Sequence, residues 1–150
     1  MLHIAICDDQ PDQIRSIRQS SERYFQDKQD TVSYETFDNA FSFVDTINQG
    51  AIFDIVLLDV CMPGILGTEV AQELRKFSSS TEIIFLTTSD EFAMDAFAVK
   101  ATDYLLKPFT QSQFTLAMDR AIAFIRQRSS ANAHFARCRF FHGGLLDNLR

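Results

Sequence analysis

The chemistry of this chain is concentrated where short apolar runs stop. Residues 5–9 read AICDD, an apolar run ending in two adjacent carboxylates, Asp8 and Asp9. Residues 53–59, FDIVLLD, end in a third, Asp59. Residues 82–88, EIIFLTT, end in two hydroxyls, Thr87 and Thr88, and residues 103–107, DYLLK, end in the ammonium of Lys107. Three carboxylates gathered at one place repel: at a separation of about 5 Å and an effective dielectric near 20, each pair costs roughly 3 kcal/mol. One lysine offsets only part of that. A hard divalent cation resolves the rest, and magnesium takes a few carboxylates plus water and typically engages a phosphate as well. A carboxylate is a competent nucleophile at phosphorus, forming an aspartyl phosphate. Such a transfer needs little beyond positioning and charge neutralisation. The residue types therefore point to Mg2+ (or Mn2+) and to phosphoryl chemistry on a carboxylate. A plainer reading has Asp8 and Asp9 merely cap a helix opened by Pro11. It leaves Asp59, Thr87 and Lys107 unexplained.

The elements that must position these groups alternate along the chain. Residues 3–7 read as a strand, and Pro11 opens a helix to about residue 26 with Ile14, Ile17 and Tyr24 on one face. Residues 31–37 alternate apolar and polar as a strand of period two. Asp38 or Asn39 caps a short helix carrying Phe41, Val44 and Ile47, with Gly50 after its end. The nearly continuous apolar runs at 53–59 and 82–88 suit parallel strands covered on both faces. Between them, Pro63, Gly64 and Gly67 make a loop, and residues 68–77 a helix with Val70, Ala71 and Leu74 inward. Asp90 is expected to cap a helix to about residue 99, with Phe92, Ala96 and Val99 on its buried face. After the strand at 103–107, a last helix runs from residue 110 to about 128, with Phe114, Ala117, Met118, Ala121, Ile122 and Ile125 inward. Five strand–helix pairs predict an α/β fold, a doubly wound (βα)5 three-layer sandwich around a parallel sheet. In such sheets ligands bind beyond the carboxyl ends of the strands, where the strand order reverses. If strands one and three are neighbours, as in the order 2-1-3-4-5, the three acids converge.

Composition bounds the alternatives. The 150 residues are the size of one domain, and the formal charge of −6 leaves the chain without an overall basic footprint for nucleic acid. Three cysteines without disulfide or zinc spacing suit a reducing compartment. No apolar run is long enough to span a membrane, and no signal-peptide pattern opens the chain. The expected setting is the cytoplasm.

Together, CDD at 7–9, LLDVCMPGILG at 57–67, FLTT at 85–88 and DYLLKPF at 103–109 resemble the receiver domains of two-component response regulators. The resemblance covers residues 1–128 and implies a flavodoxin-like fold. The DYLLKPF ending, with Phe92 and Phe97 ahead of it, is most similar to receivers joined to LytTR-type output domains. The resemblance implies that Asp59 accepts a phosphoryl group from a sensor histidine kinase. Asp8, Asp9, Asp59 and the backbone carbonyl of Cys61 would hold the metal. Lys107 would pair with Asp59 or a phosphoryl oxygen, and Thr87 would bond the phosphoryl group. Tyr104 would follow Thr87 by changing rotamer. Met62, Thr88 and Ser89 would neighbour the phosphoryl group, and Lys107–Pro108 would be a cis peptide. The output would be read on the face of the fourth helix, fifth strand and fifth helix, through a partner or a phosphorylation-dependent homodimer. Residues 1–128 would bind neither DNA nor membrane, and self-dephosphorylation would be slow at most. Leu66 departs from the family pattern, which commonly has Asp or Asn there, and Thr88 stands where Ala or Gly is common.

Two rival readings fit the residues less well. A phosphatase or phosphotransferase of haloacid-dehalogenase type places a D-x-D motif after the first strand, whereas Asp8 and Asp9 are adjacent and the nucleophile candidate follows the third. A pseudo-receiver, a pure interaction module, usually lacks an acid or the lysine, and none is missing here. A dinucleotide-binding fold is disfavoured because no G-x-G-x-x-G follows the first strand. Cys7 and Cys61 are expected at neighbouring strand ends as ordinary thiols. His3, His134 and His142 have no metal spacing. Residues 129–150 differ in character, with three arginines against one acid, where residues 1–128 carry eleven cations against nineteen acids. Phe135, Phe140 and Phe141 interleave with Arg137 and Arg139 there. The segment reads as a tail with little helical periodicity. It is either a terminal segment or the remnant or start of a missing output domain, which needs far more chain.

Overall fold

The computed structural model describes residues 1–142, with side chains through residue 130. Five strands, β1 (Leu2–Cys7), β2 (Val32–Phe37), β3 (Ile55–Leu58), β4 (Glu82–Thr87) and β5 (Asp103–Leu106), alternate with five helices. The helices are α1 (Pro11–Phe25), α2 (Ala40–Asn48), α3 (Gly67–Phe77), α4 (Ala93–Ala98) and α5 (Gln111–His142). The strands form one parallel sheet in the order β2-β1-β3-β4-β5. The doubly wound architecture and the strand order are as the sequence predicts.

The apolar strand runs are explained by two cores. Ala5, Cys7, Val56, Leu58, Ile83 and Phe85 face α2, α3 and α4. Their neighbours Ile4, Ile6, Ile55, Leu57, Ile84 and Leu86 face α1 and α5. Successive residues of a strand point to opposite faces, so a strand buried on both sides cannot afford polar positions. Pairing of Cys7 with Leu58 and of Leu58 with Phe85 brings the ends of β1, β3 and β4 to one rim.

Helix starts follow their local chemistry. Pro11 sits in the first turn of α1, and the side chain of Asn39 accepts the Ser42 N–H to cap α2. Thr110 and Gln113 cap α5 reciprocally: Thr110 Oγ1 accepts the Gln113 N–H, and Gln113 Oε1 accepts the Thr110 N–H.

Three helices differ from expectation. On α2 the buried face is Ala40, Phe43 and Ile47, while Phe41 is exposed and its ring lies against the Gly64 turn. Phe41 and Phe43 are two residues apart and point to opposite sides of the helix, so only one can face the core, and Phe43 does so together with Ala40 and Ile47. Helix α4 is only six residues, and Phe92 rather than Asp90 precedes its first turn. The Ser89 hydroxyl accepts the Glu91 N–H, which shapes a turn where the longer helix was expected. Helix α5 continues past residue 128 to His142, because no proline or glycine interrupts it before Gly143. Residues 143–150 lie outside the described residues, as do the side chains of His134, Phe135, Arg137, Arg139, Phe140, Phe141 and His142. No described helix is long and apolar enough to cross a membrane.

Candidate functional site

At the carboxyl rim of the sheet, one ligand oxygen from each of Asp8, Asp9 and Asp59 lies within 4.8 Å of the others. Asp8 and Asp9 follow β1, and the Asp8 N–H bonds the Phe37 carbonyl at 3.1 Å, which continues the sheet past its last paired residue. Asp59 follows β3, its N–H donating to the Cys7 carbonyl at 3.0 Å. Gly67 lies against the Asp59 backbone so closely that a Cβ there would fall 2.0 Å from the Asp59 carbonyl oxygen. Asp8 and Asp59 are buried. Lys107 enters from the end of β5, its Nζ 2.6 Å from Asp8 Oδ2 and 4.0 Å from Asp59 Oδ2. The lysine thus hydrogen-bonds Asp8 and makes the longer ion pair with Asp59 that the resemblance implies. Asp8 also accepts the Gln10 N–H at 3.0 Å, and Asp59 the Cys61 N–H at 3.3 Å. The Lys107–Pro108 peptide is cis.

Burial raises the Asp59 carboxyl above its usual 3.8, with Lys107 opposing and Asp8 and Asp9 reinforcing the rise. Burial, and then the neighbouring carboxylates, push the Cys7 thiol up to about 12. Cys7 is therefore a neutral core thiol, and Cys61, exposed at the rim, is likewise free.

The sign of the Asp59 effect is testable. Between pH 3.8 and its raised folded value, the folded chain keeps a proton that the unfolded chain has released. Metal-free stability must therefore fall as pH rises through that interval. Asp59→Asn should remove this fall and raise the metal-free melting temperature at pH 7. Unfolding in a chelator at several pH values checks this, and equal pH slopes in the two proteins would contradict it.

The remaining predicted residues divide. Thr87 is buried at the end of β4, its hydroxyl 3.9 Å from Cys61 Sγ and accepting the Ser89 N–H at 3.3 Å. Tyr104, on β5, donates its hydroxyl to the Ser89 carbonyl and packs on Phe85. Thr88 and Pro108 line a cavity of about 570 Å³ that opens beside Asp59, Cys61 and Lys107. Met62 instead turns into the core, its sulfur 3.8 Å from Cys7 Sγ. The other wall of the cavity was not anticipated. It is a stripe of Gln10, Gln13, Ser16, Ser20 and Arg23 along the start and exposed side of α1. Their spacing of three and four residues is the signal that would have found it. Leu66 leaves the loop intact, since its N–H donates to Glu69 Oε1 and Gly67 N–H to the Val60 carbonyl at 2.7 Å.

The donor set fits a hard cation: three carboxylates at coordinating separation, with one ammonium among them. Comparison with known proteins agrees with this fold. Residues 4–119 match the response regulator receiver domain. The chain belongs to that family, whose members act as phosphoacceptor switches rather than as enzymes. It is 36% identical over 124 residues to the sensory transduction protein LytT of Oceanobacillus iheyensis, covering 79% of this chain and 47% of that protein. It is 39% identical over 88 residues to the transcriptional regulatory protein LytR of Staphylococcus aureus, covering 58% and 35% respectively. The match thus spans less than half the length of these curated relatives. Among solved structures, the response regulatory domain of protein mrkE from Klebsiella pneumoniae superposes with a TM-score of 0.71 at 23% identity, covering 83% of this chain and 99% of that one. A beryllium-fluoride-activated DrrB receiver domain does so with a TM-score of 0.64 at 26% identity, covering 82% and 98%.

Proposed function

We propose that Asp59 is the phosphoacceptor of a two-component system, taking the phosphoryl group from a histidine kinase in a magnesium-dependent step. The observation that carries this is the convergence of Asp8, Asp9 and Asp59 at one rim, with Lys107 as their cation. An Asp59 oxygen attacks phosphorus as the P–N bond to the donor imidazole breaks, and the imidazole leaves as the neutral ring once protonated. Asp8, Asp9, Asp59 and the Cys61 carbonyl would hold the ion, which supplies positive charge to the phosphoryl oxygens. Lys107 keeps its ammonium at the rim and is 4.0 Å from Asp59 before transfer, within a short side-chain movement of a phosphoryl oxygen. Thr87 supplies a hydroxyl to the same oxygens. Its displacement removes the acceptor of the Ser89 N–H. The Ser89 carbonyl is where Tyr104 is bonded, so the two side chains are coupled through one residue.

The readout would be the face of α4, β5 and α5, where Met94 and Phe97 stand exposed. It would engage an output segment, a partner or a second copy, in the cytoplasm and toward transcription regulation, as the names of the LytT and LytR relatives suggest. The acyl phosphate is labile to water, so the signal decays by slow hydrolysis.

The deciding experiment is incubation with acetyl phosphate and Mg2+, followed by intact-mass measurement. One phosphoryl group should add to the wild-type chain and none to Asp59→Asn. Labelling that survives in Asp59→Asn, or that proceeds equally in a chelator, overturns the assignment.

A further inference from the structure

Arg75, in the last turn of α3, directs its guanidinium at backbone carbonyls. Nε donates to Val99 O at 2.7 Å, Nη1 to Thr81 O at 2.8 Å and Ser78 O at 3.2 Å, and Nη2 to Lys100 O at 3.2 Å. One side chain therefore joins four points: the end of α3, the entry to β4, the end of α4, and the turn into β5, where Lys100 has φ 57°. The carbonyls at a helix end lack intrahelical donors, and a cation there is favourable. The planar fork of arginine holds several such acceptors in a fixed geometry, which a lysine cannot do.

Helix α4 needs such support. Six residues are too few for a helix to hold itself. Met94 and Phe97 are 80% and 81% exposed, and only Ala96 and Val99 are buried. Its two ends are tethered by polar bonds of unequal strength. At the rim that carries Asp59 the tether is the Tyr104 hydroxyl on the Ser89 carbonyl and the Ser89 N–H on the Thr87 hydroxyl at 3.3 Å. At the opposite end of the strands Arg75 bonds the Val99 and Lys100 carbonyls, and the same guanidinium fixes them to the Ser78 and Thr81 carbonyls. The weak tether adjoins Thr87 through the Ser89 N–H, and the strong one is remote from any phosphoryl group.

We propose that Arg75 is a positioning residue, the fixed pivot of α4. It holds residues 98–101 in place while residues 88–92 are released when Asp59 carries a phosphoryl group. This rests on the phosphoacceptor reading of Asp59 but adds to it a hinge at a defined side chain. The sequence shows Arg75 only as a basic residue near a helix end, because its partners are backbone carbonyls.

Amide hydrogen exchange on the full chain tests the pivot, with and without Mg2+ and beryllium trifluoride as the phosphoryl mimic. In wild-type protein the mimic should speed exchange severalfold at residues 88–92 and leave 98–101 unchanged. In Arg75→Ala, residues 98–101 should exchange roughly tenfold faster already without the mimic, with β1 and β3 unchanged, and the mimic should then loosen both ends. Arg75→Lys, which keeps the charge but not the fork, should fall between. The half-saturating concentration of beryllium trifluoride should shift severalfold in Arg75→Ala, a change that a purely structural role would not produce. Equal exchange at 98–101 in wild type and Arg75→Ala, or equal opening at both ends in wild type, would overturn the pivot. Wild-type protein that forms no complex with the mimic would instead overturn the phosphoacceptor reading, and the resting-state comparison of Arg75→Ala would then decide the anchor alone.

Discussion

Gly67→Ala is expected to lower the melting temperature by about 10 °C or more and to suppress phosphoryl acceptance in whatever fraction still folds. The added Cβ would stand 2.0 Å from the Asp59 carbonyl oxygen and 2.9 Å from both the Asp59 carbonyl carbon and Val60 Cα. All three atoms are backbone, so no rotamer change relieves the contact. The loop must retreat by about 1 Å or more to restore ordinary separations. That breaks the 2.7 Å bond from the Gly67 N–H to the Val60 carbonyl and displaces the residue that carries the nucleophile. Overpacking of this kind costs about 3 kcal/mol. Each kilocalorie is worth roughly 3–5 °C for a domain of this size. Gly50 is the contrast: nothing lies within 4 Å of a Cβ there, but its φ is +98°. Gly50→Ala should cost only about 1 kcal/mol, from backbone strain, and should leave acceptance intact. Thermal unfolding of both variants separates the two causes. A Gly67→Ala protein within about 3 °C of wild type would mean that the loop is not clamped on Asp59.

The sheet and the acid cluster were legible because each leaves a mark in residue type. A strand buried on both faces must be apolar throughout, as at Ile55–Leu58, and its end is marked by the first charge. Convergence of Asp8, Asp9 and Asp59 then follows from strand order alone. The α2 face was misread because a pattern scored on large side chains favours Phe41, while the buried ring is Phe43, packed on Phe37 and Phe53. The α4 boundary was misread because a side-chain cap at Asp90 and a turn built on the Ser89 hydroxyl look alike in sequence. The extension of α5 was missed because composition, which changes after residue 128, was read as a structural boundary, whereas a change of composition does not by itself end a helix. Gly67 was read as a loop residue, but its contact with Asp59, like the bonds of Arg75, was invisible for a common reason. Both act on backbone atoms of distant segments, and backbone carbonyls carry no residue identity.

Lys107→Met should destabilise the metal-free protein by about 3 kcal/mol, and should bind Mg2+ more tightly than wild type rather than less. The lysine Nζ lies 2.6 Å from an Asp8 carboxylate whose side chain is 1% exposed. Without the ammonium, Asp8 keeps only the Gln10 N–H at 3.0 Å, and Asp59 only the Cys61 N–H at 3.3 Å. Removing one partner of a buried ion pair typically costs about 3–5 kcal/mol, because the other charge stays behind. The lower end applies here, since Asp9 is partly open to solvent and the rim can hydrate. A cation bound at the three carboxylates restores the missing charge. At a hundredfold excess over its dissociation constant it returns about 2.7 kcal/mol, enough to bring the variant nearly level with metal-free wild type. Tighter binding follows from competition: in the wild type the ion must share Asp8 with Lys107, and in the variant it need not. Phosphoryl acceptance should nevertheless fall, because the lysine is also the cation 4.0 Å from Asp59. Adding Asp8→Asn to Lys107→Met should recover most of the metal-free stability, since neither half of the pair then remains buried alone. Unfolding with and without chelator, and calorimetric titration of Mg2+, measure both effects. A variant as stable as wild type that binds the ion more weakly would show that Lys107 does not balance the charge of this rim.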